Sequence, residues 1–106
     1  MQGATPTECS AVVRERVMAA RARQHARQGC TNARLDGMKL QRVCELDGTD
    51  AHRLLGRGVE RFGLSARAVT RVLRVARTLA DLDEERVIQI GHVAEALQLR
   101  GPDSGV

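Results

Sequence analysis

Ser65-Ala66-Arg67-Ala68 opens the longest periodic segment of the chain, and its residue types suit oxyanion recognition. The Ser65 hydroxyl is placed to accept from the first unpaired backbone N–H groups of a helix running to about Leu82. Arg67 then falls in the first turn, at the positive end of the macrodipole, where a cation is unfavourable. An acidic residue is the usual choice there, and a Glu in place of Ala68 would have completed a capping box. Exposed helix-terminal N–H groups beside a forked guanidinium form a phosphate receptor. Arg71 and Arg74 follow on the same stripe, which Thr78 and Asp81 continue. Their spacing leaves open whether they extend a phosphate- or subunit-facing surface or form a solvated face. Arg77 points elsewhere and is assigned a structural role.

Other chemistries find little support. Cys9, Cys30 and Cys44 are odd in number and lack C-x-x-C spacing, which argues against a disulfide framework and a zinc site and for reduced cytosolic thiols. His25, His52 and His92 are far apart, and His92-Val93-Ala94-Glu95 is not the H-E-x-x-H zinc pattern. No metal site is expected. Ser65 has no signalled base or oxyanion motif and is assigned as a cap, so no catalytic residue is identified. All but one of the 17 basic residues are arginine, and the exception, Lys39, lies between Met38 and Leu40. A P-loop needs Gly-Lys-Ser/Thr after a glycine-rich turn, so this chain alone should not hydrolyse ATP.

The formal charge is +4. Arginine in place of lysine throughout is explained mainly by compositional bias. Arg14, Arg16, Arg21, Arg23 and Arg27 are spread over several faces of the first helix, whereas a DNA-reading helix would concentrate them. Phe62 is the sole aromatic, so there is no platform for stacking bases.

The elements that must position these residues are helical. At 106 residues the chain is long enough for one core, and a core of Leu, Val, Ala and Ile suits closely packed helices rather than a β-sandwich. The expected fold is all-α, a small bundle of about four to five helices spanning residues 10–100, between a disordered lead-in (1–9) and a disordered tail (101–106). The first helix runs from about Ser10, its N-cap, to Gln28 before Gly29, with Val13, Val17, Ala20 and Gln24 on a weak stripe that leaves it only partly buried. A short helix around Met38–Glu45 presents Leu40, Val43 and Cys44. The next starts at Thr49 and Asp50, carries Ala51, Leu54, Leu55, Gly58 and Phe62 on one face, and ends at Gly63. Gly56 and Gly58 lower its propensity and are either sites of close helix approach or neutral. The Ser65 helix presents Val69, Val72, Leu73, Ala76 and Ala80. Val87-Ile88 is at most an isolated extended pair, and the last helix, about Ile90 to Arg100, turns Val93, Ala96 and Leu97 inward. No membrane span or signal peptide is seen, so a soluble, cytoplasmic protein is expected.

The run Leu64 to Asp83, followed by Ile90-Gly91-His92-Val93-Ala94-Glu95-Ala96-Leu97-Gln98-Leu99-Arg100, resembles the C-terminal domain of the magnesium chelatase subunit I-like ATPases, the branch containing ComM and YifB. Ser10 to Val17, with Ala20, Arg21 and Gln24, is similar to the start of that domain. The resemblance implies the helical lid of an AAA+ ATPase, with Arg67 as the sensor 2 arginine reaching toward the γ-phosphate. Val69 stands where relatives often have an aromatic, which affects local packing only. It implies no cofactor in this fragment but ATP and Mg²⁺ in the full-length protein. The implied partners are the P-loop core of the same chain and neighbouring subunits of a ring; DNA is left open, and no membrane is implied. Two rival readings are a free-standing basic domain binding nucleic acid through phosphate contacts and a pure interaction domain docking through the first helix.

Overall fold

Five α-helices, with one 3-10 turn, make up an all-α domain in a computed structural model that describes residues 6–100, with side chains from Ser10 onward. The elements are α1 (Pro6–Gln28), the 3-10 turn (Asn32–Arg34), α2 (Gly37–Val43), α3 (Gly48–Phe62), α4 (Ala66–Leu82) and α5 (Ile90–Leu99). The terminal segments 1–5 and 101–106, expected as lead-in and tail, lie outside the described residues.

The start of α1 differs from the expectation. The helix begins at Pro6, so Ser10 sits inside it rather than capping it. Proline suits the first helical position, because the N–H it lacks would have no partner there. Strong helix formers after Ser10 gave no signal that the helix had already begun. At the other end Gly29 takes φ +81°, the left-handed conformation that stops a helix. Along α1, Val13 and Val17 are exposed, while Ala20 and Gln24 are buried at 2% and 4% exposure. The helix is thus partly buried, through its C-terminal half alone.

The core forms around α4, which packs against both α5 and α1. Val72, Ala76 and Ala80 of α4 meet the buried Val93, Ala96 and Leu97 of α5 within one cluster that also takes in Leu35, Leu40, Cys44 and Ala51. Alanine at positions 76 and 80 suits close helix approach, since a larger side chain would hold the neighbouring helices apart. The α3–α5 contact shows the same device more sharply. A Cβ on Gly58 would lie 2.9 Å from Leu97 Cδ2, whereas one on Gly56 would meet nothing within 4 Å. Close approach is therefore the role of Gly58, and Gly56 has none in packing.

Phe62 departs from its expected inward position: it is 41% exposed. Its ring face is covered by the Arg100 guanidinium, 3.9 Å from the centroid, a cation–π contact. Of the expected extended pair only Ile88 is bridged: it forms an isolated parallel bridge with Leu46, in which Ile88 N–H donates to the Glu45 carbonyl and Asp47 N–H to that of Ile88, while Val87 lies in a bend. This ties the end of α2 to the start of α5. Among the described residues no helix is long and apolar enough to cross a membrane.

Candidate functional site

Gly63 at φ +61° ends α3, and Ser65 caps α4 after a two-residue connection. The Ser65 hydroxyl accepts from Ala68 N–H at 3.1 Å, and the Ser65 carbonyl from Val69 N–H at 2.9 Å. That leaves the N–H groups of Ala66 and Arg67 without an intrahelical acceptor, as at any α-helix start. Arg67 is exposed, and no hydrogen bond or ion pair ties it to another described residue. A cation at the positive helix end, with no carboxylate to compensate it, is a local arrangement suited to an incoming anion. The terminus therefore fits a phosphate group.

Arg71 and Arg74 share the stripe but differ in setting. Arg71 is exposed and lines a cleft of about 90 Å³ together with Leu64, Ala68, Val72 and Arg100. Arg74 is half-buried, and its Nε donates to the Leu35 carbonyl at 2.7 Å. That bond fastens the 3-10 turn to α4, so part of the Arg74 fork already serves the fold.

The far end of the stripe is a buried polar knot. Asp81, 2% exposed, accepts from Arg27 (2.8 Å), Asn32 (2.8 Å) and Arg77 (3.1 Å). Burial alone would raise the Asp81 pKa, but the hydrogen bonds from Arg27 and Asn32, with the charges of Arg77 and Arg27, hold its carboxyl below the usual value. Asn32 extends the knot: its side-chain amide also donates to Thr78, its backbone N–H donates to Gln24, and its side-chain Oδ1 accepts from Gln28. The polar Gln24 in an otherwise apolar stripe was the available sequence signal. Asn32 gave none, lying in a connection without periodicity.

Arg77 is structural, as its separate face suggested. It is 1% exposed and donates to the carbonyls of Val43, Glu85 and Arg86. Val43 ends α2, so Arg77 satisfies a carbonyl that the helix terminus would otherwise leave orphaned. Burial pushes the Arg77 pKa down, and Asp81 opposes that shift.

Two of the remaining titratable candidates, His92 and Cys44, are committed locally. His92 Nδ1 accepts from Gln89 N–H at 2.9 Å, which leaves Nε2 as the donor to Asp83 at 2.8 Å. Burial pushes the Cys44 thiol up to about 11, the wrong direction for a nucleophile. Among the described residues no group of three or more His, Cys, Asp or Glu is placed to hold a metal ion.

Residues 7–100 match the family described as "Magnesium chelatase, subunit ChlI C-terminal". The chain belongs to that family. Among curated relatives of this magnesium chelatase C-terminal domain, the Escherichia coli K12 "Uncharacterized protein YifB" is 46% identical over 98 residues, covering 92% of this chain and 19% of the relative. The Haemophilus influenzae "Competence protein ComM" is 44% identical over 93 residues, 88% of this chain and 18% of the relative. The chain thus spans about a fifth of the length of these relatives. No solved structure matches it significantly.

Proposed function

We propose that the chain is the nucleotide-sensing lid of an AAA+ ATPase, with Arg67 as its sensor 2 arginine. The observation that carries this reading is the Arg67 terminus itself: an exposed guanidinium at a capped helix start, beside the unpaired N–H groups of Ala66 and Arg67, with no partner among the described residues. Family membership supports the same reading, since the relatives are about five times longer and have room for an ATPase core.

ATP bound to that core supplies the γ-phosphate whose presence and loss the lid would read. Arg67 binds it through a charge-assisted contact, and the helix-terminal N–H groups add a fixed positive field. Arg71, one turn along, lies on the same side of α4. A pull on Arg67 is transmitted by α4, a 17-residue helix roughly 25 Å long, to everything packed against it. The α5 core layer moves with its apolar face, and α1 moves through the Asp81 knot. Neighbouring subunits of a ring would receive that motion; DNA as the substrate rests only on the likeness to ComM.

The test is ATP turnover of the full-length ATPase with Arg67→Ala. Loss of one charge-assisted phosphate contact should lower turnover about tenfold. The melting temperature should not fall, because Arg67 holds nothing in the domain. Turnover equal to that of the unsubstituted enzyme would remove the sensor assignment.

A further inference from the structure

A second arginine cluster lies toward the other end of α4, about 15 Å along the helix from Arg67 at the ordinary rise. It lines an open groove of about 410 Å³. Among its lining arginines the least exposed are Arg77 at 1%, the half-buried Arg23 and Arg27, whose side chain is 30% exposed, and these three form its inner part. Arg27 and Arg77 bond the Asp81 carboxylate, and Arg23 donates to the Asp81 backbone carbonyl at 2.7 Å. One carboxylate therefore serves two guanidinium groups, and the third, that of Arg23, is shown only on a backbone carbonyl. The shortfall also shows in the hydrogen bonds: the Nε atoms of Arg77 and Arg23 are both buried without a partner. Arg77 is 1% exposed, and its terminal nitrogens are committed to three carbonyls and Asp81. Buried donors without acceptors are costly, and five arginines against three glutamates in the lining, with Asp81 bonded to them, leave the groove a net positive charge.

We propose that this groove binds a small phosphate-class anion, held by Arg23 and Arg27 over the buried charge of Arg77. Guanidinium forks match the tetrahedral oxygens of phosphate, and an anion offsets the net positive charge of the groove. The rim decides between a small anion and a polymer. Arg42 and Arg86 stand there against Glu45, Glu84 and Glu85, all exposed. This rim excess of carboxylate repels an extended polyanion such as a nucleic-acid backbone, while a single phosphate passes it to reach the inner guanidinium groups. The site is independent of the Arg67 terminus and of the nucleotide-sensing reading.

The test is calorimetric titration of inorganic phosphate into the chain at fixed ionic strength, for the unsubstituted protein and for Arg23→Gln, Glu85→Gln and Arg67→Ala. Phosphate should bind, about tenfold more weakly to Arg23→Gln, which loses a charged donor. Binding should tighten about twofold in Glu85→Gln, which loses a rim carboxylate. The phosphate binding that Arg23→Gln weakens should remain in Arg67→Ala, whatever that variant loses at the α4 terminus. No phosphate binding would overturn the proposal, as would binding lost in Arg67→Ala and kept in Arg23→Gln. A single-stranded oligonucleotide without terminal phosphates that displaces phosphate from the groove would also overturn it. Should Arg23→Gln not fold, the exposed Glu85→Gln decides, and unchanged affinity there counts against the site.

Discussion

Two charged residues at opposite ends of the α4 stripe have opposite fates. Arg67 is exposed and makes no bond to another described residue, whereas Asp81 is among the most heavily bonded side chains described. The sequence showed Arg67 because a cation at the start of a capped helix breaks a local rule. It showed Asp81 only as the last member of a polar stripe, since the partners that bury it, Arg27 and Asn32, are 54 and 49 residues away. Asp81→Asn should lower unfolding stability by about 3–5 kcal/mol in chemical denaturation, because it leaves Arg77 buried without its counter-charge. The pH dependence follows from the same contacts. The folded-state pKa of Asp81 lies below its unfolded value of 3.8, so the folded protein binds that proton less readily than the unfolded chain does. The stabilisation is complete above about pH 5 and is lost as pH falls through the depressed folded value. Acid titration of the melting temperature should therefore be flatter in Asp81→Asn than in the unsubstituted protein.

Helix termini and helix contacts were legible to different degrees. The Ser65 cap, the Gly63 stop and the inward faces of α4 and α5 follow from capping chemistry and 3.6-residue periodicity, and the structure has them. The start of α1 was not legible, because Ser10 offered a cap signal inside a segment that is already helical. The end of α4 at Leu82 was legible, although its stop depends on conformation rather than on a glycine. Glu84 adopts φ +60°, Glu85 N–H donates to the Ala80 carbonyl at 2.8 Å, and Glu84 N–H donates to that of Asp81 at 3.1 Å. This is a Schellman turn with glutamate where glycine is usual. Glu84→Gly should raise stability by about 0.5–1 kcal/mol, read as a shift of the denaturation midpoint. Gly56 and Gly58, in the interior of α3, give a paired test. Gly56→Ala, in open space, should stabilise by about 0.5–1 kcal/mol through helix propensity alone. Gly58→Ala gains the same propensity but presses on Leu97, and should be destabilising by about 1 kcal/mol overall. Equal stability of the two variants would show that the α3–α5 contact does not need glycine.

At the scale of the whole molecule, α4 links two arginine-bearing ends through one packed core. The all-α class was readable from composition and periodicity, and the family from the Leu64–Arg100 run. The polar knot that joins α1 to α4 was not readable, because it rests on pairings distant in sequence whose members, taken singly, look like solvated residues. Under the proposed reading this knot makes α1 follow α4, so that a phosphate contact at Arg67 moves the lid as one body. The measurement that tests this account most directly compares ATP and ADP affinities of the full-length ATPase before and after Arg67→Ala. A γ-phosphate contact predicts that ATP binding weakens about tenfold while ADP binding stays the same. Equal affinities for ATP in the two proteins, or an equal loss for ATP and ADP, would contradict it.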